Sequence, residues 1–353
     1  MSKTLTLLLV QLILSTCAGA QWSHQDVFRT DSGILLINKL VDAYKPSQVL
    51  DYSNARIKMY KEIYNVADSV SCVYSKHTLY LDPNDSDPIG YLIKNNNPSG
   101  INCEHTFPQS KGAENGNARS DIHHLFPSRA AVNQARSNYL FGEIDDQITD
   151  HWFFKNLDLT IKPNQVINEY SEGINGRFEP REDHKGNVAR AIFYFWTMYE
   201  VQSDRSFFES MKTTLCGWHV QDPVDSLEWI RTFLIAKYQE DKANPFVLDC
   251  SLARRSYCPT QSPCLVNKSD DIGYGQLKIA PVPVENDVFI HAAPLGELDI
   301  KIFDIVGKLR FHEERLNKDD ILKFNITTLS SSIYHILIQK DRQAIFRGSF
   351  VKE

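Results

Sequence analysis

Apolar residues recur at intervals of three to four positions through much of the first 250 residues of this 353-residue chain. That spacing puts apolar side chains on one face of a helix, so it is typical of amphipathic helices that pack on a core. A shorter run over 72–81 contains Val, Thr and Tyr and predicts a strand. The predicted helices are 33–44, 51–64, 188–201 and 223–238, the last with Pro223 near its start and Asp222 or Asp225 as its cap.

Beyond residue 281 the pattern changes to an alternation of apolar and polar positions, as in 298–302 and 322–326. Several short strands separated by turn residues predict a small β-sandwich. The predicted fold class is therefore α+β, with a mostly helical domain around a small β element and a C-terminal sandwich. The predicted limits are 21–264 for the first domain, 265–280 for a polar linker and 281–353 for the sandwich.

The N-terminal segment has the composition of a signal peptide. Lys3 precedes an apolar run over 5–14, and small residues end at Ala20, after which we expect cleavage, so residues 1–20 are excluded from the fold. A lipoprotein signal at Cys17 is the alternative, but Thr16 fits it poorly. The rest of the chain contains no apolar run long enough to cross a bilayer, so no stable membrane insertion is predicted.

Six cysteines follow the signal peptide, and an even number in an exported chain predicts disulfide bonds. We expect Cys72 to pair with Cys103, and the remaining four to pair among themselves. A free catalytic thiol at Cys103 is the alternative, and an oxidising location disfavours it. The six are Cys72, Cys103, Cys216, Cys250, Cys258 and Cys264.

Residues 102–141 concentrate side chains that transfer protons and hold hard cations. Such a density exceeds what a core needs, and the segment therefore predicts a functional site. The side chains concerned are Glu104, His105, Asp121, His123, His124 and Asn133.

The segment divides into strand, loop, strand and helix. Glu104 and His105 are adjacent in the first strand, so they point to opposite faces unless a bulge brings both to one site. Asn133 lies four residues after Arg129 and shares its helix face. The predicted bounds are 103–107 for the first strand, 109–120 for the loop, 121–125 for the second strand and 129–136 for the helix, with Ser128 as its N-cap.

This segment resembles the endonuclease I family of secreted, sugar-nonspecific bacterial nucleases, whose site is a ββα-metal (His-Me) finger. Two further blocks, within 188–194 and 218–246, agree in chain order, and the resemblance extends from about residue 51 to 249. The first block matches at Glu104-His105, Pro108, Asp121, His123, Leu125, Pro127-Ser128, Val132-Asn133 and Arg136 to Tyr139.

The resemblance implies that His105 is the general base and that Glu104 and Asn133 hold one divalent cation. A neutral imidazole, with a pKa near about 6.5, suits a base at physiological pH. A carboxylate and an amide oxygen suit Mg²⁺, with Ca²⁺ and Mn²⁺ as alternatives. The implied products carry 5′-phosphate ends. The other predicted site residues are Arg119, Asp121 and His123 as catalytic or supporting groups, and Lys111, Arg136 and Asn138 as contacts to the substrate.

The formal net charge of −6 is unusual for a protein that binds nucleic acid, because binding normally rests on phosphates neutralised by Lys and Arg. A bound cation and a local cluster of basic side chains would supply the field, and we expect weak, salt-sensitive, sequence-indifferent binding. The predicted cluster is Lys111, Arg119, Arg129, Arg177, Arg181, Lys185 and Arg190.

The C-terminal strands resemble the sorting domain of the type IX secretion system. The matching features are the segments IKIFDIVGKL and LSSSIYHILI and basic residues near the end, whereas Ala292-Ala293-Pro294 stands where the family usually has Pro-Asn-Pro. The resemblance implies export through the periplasm of a Gram-negative bacterium, the secretion machinery as a partner, and a secreted or cell-surface location. A carbohydrate-binding module is the alternative.

Three functions stay open at this point. The first is a secreted, monomeric, Mg²⁺-dependent endonuclease that cleaves DNA, with RNA left open as a second substrate. The second is a noncatalytic secreted protein that keeps the fold to bind nucleic acid or a surface, and the third is a metallohydrolase for another phosphodiester. A zinc site at Cys103, His123 and His124 is disfavoured, because the short regular spacings of structural zinc sites are missing.

Overall fold

The computed structural model describes residues 23–82, 84–94, 99–264, 278–280, 284–291, 296–304, 309–318, 321–340 and 343–352. The predicted signal peptide with Cys17, residues 265–277 of the predicted linker, and Ala292 to Pro294 lie outside the described residues. The chain divides into two compact units, residues 1–266 and 267–353.

Helices and short strands alternate along the first unit. The helices are α1 (Gly33–Tyr44), α2 (Tyr52–Lys58), α3 (Pro88–Ile93), α4 (Asn117–Ser120), α5 (Ala130–Arg136), α6 (Lys185–Tyr199), α7 (Arg205–Gln221), α8 (Ser226–Ala236), α9 (Pro245–Leu248) and α10 (Ser251–Ser256). The strands are β1 (Ser69–Ser71), β2 (Thr78–Tyr80), β3 (Ile101–His105), β4 (Leu125–Arg129), β5 (Leu140–Phe141), β6 (His151–Phe154), β7 (Leu157–Leu159), β8 (Ser171–Ile174) and β9 (Arg177–Glu179).

The predicted helices are present, and two of them start at an aspartate cap. Helix α1 has the predicted bounds. The predicted helix 51–64 begins as α2, where the Asp51 carboxylate accepts hydrogen bonds from two backbone N–H groups, and continues as a π-helical turn, Met59–Ile63. Of the two candidate caps for α8, Asp225 is the one used, through a bond from the N–H of Glu228.

Helix α6 is the centre of the first unit, because every residue in it except Asn187 is buried. A helix that is buried all round must be largely apolar all round. Its rings stack on neighbouring elements, Phe195 on Phe107 with centroids 4.3 Å apart and Trp196 on Phe208 at 4.5 Å. The aromatic residues of this helix therefore belong to the core and do not form a base-stacking surface.

Strands in the first unit form three sheets among the described residues. The larger one has the order β5-β9-β8-β6-β7, and the others are the antiparallel pairs β1–β2 and β3–β4. The single strand predicted over 72–81 is wrong. The N–H of Cys72 donates to the carbonyl of His77, and this turn separates β1, which ends at Ser71, from β2, which begins at Thr78.

The second unit is the predicted β-sandwich. Its described strands form two antiparallel sheets, of order β10-β11-β14 and β13-β12-β15-β16, and apolar side chains of both sheets share one core, with Phe311 stacked on Phe324 across it. These strands are β10 (Lys278–Ala280), β11 (Asp287–His291), β12 (Gly296–Asp304), β13 (Leu309–Asn317), β14 (Ile321–Asn325), β15 (Ser332–Lys340) and β16 (Gln343–Lys352).

Two disulfide bonds, Cys216–Cys258 and Cys250–Cys264, close the C-terminal part of the first unit, within the group predicted to pair. The predicted Cys72–Cys103 bond is wrong, since both thiols are free. The β3–β4 register explains this. Cys72 lies against Ser128, which pairs with Asn102, whereas Cys103 is the next residue along and so points to the opposite face of the hairpin.

We expect peptide mapping of the folded, unreduced protein to recover this pairing. Denaturation followed by alkylation without reductant should label Cys72 and Cys103 and leave the other four cysteines of the mature chain linked as described. A recovered Cys72–Cys103 peptide would contradict the structure.

A buried ion pair joins α6 to α8. The guanidinium of Arg190 donates from Nε to Glu228 Oε1 at 2.8 Å, and both side chains are almost fully buried. Arg190→Met would leave the Glu228 carboxylate buried without its partner, and should lower the free energy of unfolding by about 3–5 kcal/mol. Arg205→Met, which breaks the exposed Arg205–Glu200 pair, should cost at most about 1 kcal/mol. Urea unfolding measures both, and equal losses would contradict the assignment.

Candidate active site

Strand β3, strand β4 and helix α5 form the element that the sequence singles out. The strands pair in register from Ile101 with Arg129 to His105 with Leu125, without a bulge. Glu104 and His105 therefore point to opposite faces, the first of the two alternatives that the sequence left open. Helix α5 begins directly after β4, and its N-cap is Arg129, not the predicted Ser128, which stays in the strand.

The second strand lies later than predicted. Residues Ile122–His124 form a 3₁₀ turn, and the strand starts at Leu125. The Asp121 carboxylate caps this turn by accepting a hydrogen bond from the N–H of His123 at 3.0 Å. A residue that satisfies its own backbone neighbours in this way favours a turn over a strand.

The Glu104 carboxylate lies between β3 and α5 and is held through one oxygen. The hydroxyl of Tyr74 donates to Oε1 at 3.1 Å, and Nε of Arg136 forms an ion pair with the same oxygen at 2.8 Å. Within the described residues no hydrogen bond reaches Oε2. Burial raises the pKa of Glu104 to about 7, and the charge of Arg136 opposes that rise.

Asn133 is the other predicted metal ligand, and its amide is oriented by β3. Its Nδ2 donates to Asn102 Oδ1 at 2.7 Å and lies 3.5 Å from the carbonyl of Cys103. Because a backbone carbonyl only accepts, the near atom must be the nitrogen, and the amide oxygen is left for another partner. Asn102 and Glu104 share one face of β3, so Glu104 and Asn133 belong to the same β3–α5 interface.

Arg136 was predicted to contact substrate, and the structure corrects this. Its side chain is 0% exposed. Besides the pair with Glu104, its guanidinium donates to the carbonyls of Thr106, Ser137 and Tyr139. These bonds fix the guanidinium beneath the site, so Arg136 positions the Glu104 carboxylate instead of reaching a phosphate.

His105 ends β3 on the opposite face, and its ring is held in one tautomer. A ring nitrogen, Nε2, lies 3.0 Å from the carbonyl of Arg119 and must donate to it, so Nδ1 keeps a lone pair. The Gln109 amide approaches Nδ1 at 3.4 Å. Burial lowers the pKa of His105 to about 4, the bond to the Arg119 carbonyl opposes this, and the charges of Arg119 and Arg56 add to it.

His124, which the sequence left without a role, packs behind that ring. The centroids of His124 and His105 are 5.4 Å apart in an edge-to-face arrangement. Nε2 of His124 donates to the carbonyl of Ala118 at 2.7 Å, and the side chain is fully buried. His124 therefore supports the His105 ring from the core side.

Asp121 and His123, predicted as catalytic or supporting groups, are fully buried and have structural partners. Asp121 Oδ2 accepts hydrogen bonds from the hydroxyls of Tyr194 and Tyr199, each at 2.8 Å, and Oδ1 accepts one from Gln239. Nε2 of His123 donates to the carbonyl of Lys242. These bonds fix the turn that carries His124, which suits the supporting role, and any part of Asp121 and His123 in catalysis stays a prediction.

The other residues predicted to contact the substrate lie in the loop between β3 and β4 or, in the case of Asn138, just after α5. Arg119 is exposed, and its guanidinium lies over the ring of Tyr52. Asn138 is exposed and donates to Ser110 Oγ at 3.2 Å. Lys111 pairs with Asp204 at 3.0 Å. Contacts of Lys111, Arg119 and Asn138 with substrate remain predictions.

The predicted basic cluster is largely neutralised. Ion pairs join Lys111 to Asp204, Arg181 to Asp183, Lys185 to Glu143, Glu179 and Glu182, and Arg190 to Glu228. Arg129 is buried against a backbone carbonyl. The positive field expected from these residues is therefore not available as a cluster.

Sequence reasoning missed several residues that hold the site. Tyr74 and Asn102 position the metal-ligand candidates, and the guanidinium of Arg231 donates to the carbonyls of Ile122, His123 and Leu125, which fixes the turn before β4. The available signals were that Arg231 belongs to the third matching block and that Asn102 opens the segment 102–141.

Groups that could hold zinc do not meet at Cys103, His123 and His124 in the described part of the chain. The clusters of potential ligands there are His24, Asp26 and Asp249, and Asp299, His312 and Glu314. Burial raises the pKa of the Cys103 thiol to about 12, which makes it a poor nucleophile and disfavours the catalytic-thiol alternative.

Comparison with known families agrees with this geometry. A family model described as Endonuclease I matches residues 34–250, which is more than half of the chain and includes β3, β4 and α5. The chain belongs to the endonuclease I family. A second model, described as the secretion system C-terminal sorting domain, matches residues 278–352 of this endonuclease I family member, which confirms the type IX tail.

Two curated relatives are named extracellular ribonuclease. The endonuclease I family member is 30% identical over 162 residues to that of Bacillus subtilis (strain 168) and 29% identical over 161 residues to that of Bacillus amyloliquefaciens. Each alignment covers 41% of this chain and 50% of the relative. The chain thus spans about half the length of these relatives.

The sorting domain and the extracellular relatives make this a secreted or cell-surface protein, as predicted. In the part of the chain that the structure describes, every helix is too short or too polar to cross a membrane.

If Asp121 has a supporting role, its replacement should lower the stability of the protein and should not act on turnover directly. Asp121→Ala leaves the hydroxyls of Tyr194 and Tyr199 and the amide of Gln239 without an acceptor, and should lower the free energy of unfolding by about 2–4 kcal/mol. Tyr199→Phe removes one donor and should cost about 1 kcal/mol. Urea unfolding measures both, and a large fall in turnover at unchanged stability would instead make Asp121 catalytic.

Proposed function

We propose that this protein is a secreted, divalent-metal-dependent, nonspecific endonuclease that hydrolyses phosphodiester bonds of DNA and RNA. One observation carries the proposal. In a segment matched by the endonuclease I family, consecutive residues supply an oriented carboxylate and a single-tautomer imidazole, and α5 adds an oriented amide oxygen. These three groups lie on a strand–strand–helix element, which is why we assign it as a ββα-metal finger. Glu104 and His105 leave β3 on opposite faces, but His105 is the last residue of the strand, so we propose that a phosphate bound across the strand end contacts both the cation and the base.

The donor set fits a hard divalent cation. Glu104 Oε2 is left when Tyr74 and Arg136 take Oε1, and Asn133 Oδ1 is left when its NH₂ group is taken by Asn102. Mg²⁺ accepts a few protein oxygens and completes its shell with water, and Ca²⁺ and Mn²⁺ accept the same ligand types. Bound there, the cation would neutralise charge that develops on the phosphate and the leaving oxygen.

His105 supplies the base. Its Nε2 proton is committed to the Arg119 carbonyl, so Nδ1 accepts a proton from water after the long contact with Gln109 opens. The water oxygen forms a bond to phosphorus while the bond from phosphorus to the 3′ oxygen breaks. The 3′ oxygen takes a proton from solvent, and the products are a 3′-hydroxyl and a 5′-phosphate.

Water as the nucleophile makes the sugar unimportant. A ribonuclease that attacks with the 2′-hydroxyl cannot cleave DNA, whereas attack by an activated water needs no 2′-hydroxyl. The relatives named extracellular ribonuclease favour testing RNA beside DNA. We also propose, from the sorting domain, that the secretion machinery is a partner. The monomeric state stays a prediction.

Cleavage of supercoiled plasmid and of labelled RNA tests the proposal. Both should be degraded with Mg²⁺ and spared in excess chelator, and His105→Ala should lower the rate by about 10²–10⁴-fold through loss of the base. Asn133→Ala should raise the Mg²⁺ concentration for half-maximal rate. Product ends should accept labelling by polynucleotide kinase only after phosphatase treatment.

His151→Ala is the matched control, because His151 is a half-exposed histidine on β6 paired with Asp158. It should cleave at the wild-type rate. Undiminished cleavage by His105→Ala would overturn the base assignment, and binding without turnover under Mg²⁺, Mn²⁺ and Ca²⁺ would overturn the enzymatic function in favour of the noncatalytic alternative.

A further inference from the structure

Tyr52, the first residue of α2, carries two guanidinium groups beside His105. Cζ of Arg56 lies 4.3 Å from the centroid of the Tyr52 ring, and Cζ of Arg119 lies 4.8 Å from it. The same ring is 5.4 Å from the His105 ring, centroid to centroid. The side chains of Tyr52, Arg56 and Arg119 are at least partly exposed, so solvent reaches them.

Neither guanidinium is neutralised. Among the residues that the structure describes, no carboxylate lies within ion-pair distance of Arg56 or Arg119, although Lys111, Arg181, Lys185 and Arg190 are all paired. Two positive groups held near one ring repel each other, and an anion bound beside them would lessen that repulsion. The arrangement is thus suited to a negatively charged ligand.

The position of both arginines is fixed by the surrounding chain. Arg56 follows Tyr52 by one helical turn, and its Nε donates to the Tyr52 carbonyl at 3.3 Å. The backbone carbonyl of Arg119 is the acceptor that fixes the His105 tautomer. A ligand held by these two guanidinium groups would therefore lie next to the proposed base.

We propose that Tyr52, Arg56 and Arg119 form a subsite for a backbone phosphate of the polynucleotide, adjacent to the phosphate that is cleaved; this inference rests on the proposed function. Guanidinium groups present planar forks that match phosphate oxygens. The subsite supplies local positive charge close to His105 in a chain of net charge −6. Arg56 lies outside the segment 102–141 and was not among the residues predicted from sequence.

Helix α2 also carries a cation that is paired with a carboxylate. Lys58 lies over the ring of Tyr238 at 5.1 Å, as Arg56 lies over Tyr52, but it pairs with Glu62. Lys58→Ala removes one positive charge and one ring contact from α2 without touching Tyr52, and is therefore the matched control for Arg56→Ala.

Fluorescence anisotropy with a labelled single-stranded 12-mer DNA, in chelator so that no cleavage occurs, tests the subsite over a series of salt concentrations. Arg56→Ala should raise Kd about tenfold, and should reduce the slope of log K against log salt by about 0.7 through loss of one phosphate contact. Arg56→Lys should recover part of the affinity, and Lys58→Ala should match the wild type.

Arg119→Gln is the second variant, because Arg119 is exposed and its backbone bond to His105 does not depend on the side chain. It should show the same change in slope as Arg56→Ala. Wild-type affinity and slope in both variants would overturn the subsite, and so would an equal loss in Lys58→Ala.

Failure of the proposed function has a different signature. If the wild type does not cleave in Mg²⁺ but the Arg56 and Arg119 variants bind DNA less tightly, the subsite stands and catalysis does not. If the wild type cleaves and the variants bind as it does, only the subsite is lost.

Discussion

The alternation of side chains along β3 is the constraint on which the site depends. Because Glu104 and His105 are consecutive and the pairing with β4 has no bulge, one must face α5 and the other must face α2 and the loop. Each face then needs its own support, and the chain supplies Arg136 and Tyr74 on one side and His124 with the Arg119 carbonyl on the other. The two halves of the proposed chemistry are therefore held by separate parts of the fold.

The positive charge available at the surface depends on which basic side chains are ion-paired, and not on the net charge of the chain. Most basic side chains that the sequence offers as a binding surface are bound to carboxylates, so they contribute to stability and little to attraction. Arg56 and Arg119 differ because the Tyr52 ring, and not an acid, holds them. An acidic protein can in this way present a small positive region, and its interaction with a polyanion will be local and short in range at physiological salt.

Sequence predicted well what depends on local pattern or on an ordered set of motifs. Helix α1, the C-terminal sandwich and the order of β3, β4 and α5 follow from periodicity, and the family follows from the blocks. What failed depends on tertiary contact. Nothing local marks Asp121 as the acceptor for two tyrosines of α6, or Arg136 as the partner of Glu104. Tyr52 and Arg56 reach His105 only because α2 packs against the hairpin.

The hydrogen bond that fixes the His105 tautomer is accepted by a main-chain oxygen. The loop should therefore tolerate changes of side chain better than changes of length. Any residue at position 119 offers the same carbonyl, so replacing its side chain leaves the base oriented. Insertion or deletion between Pro108 and Asp121 would carry that oxygen away from the imidazole. Loop length here is consequently under tighter restriction than loop composition, and diversification of this protein should proceed by exchange of side chains within a loop of constant span.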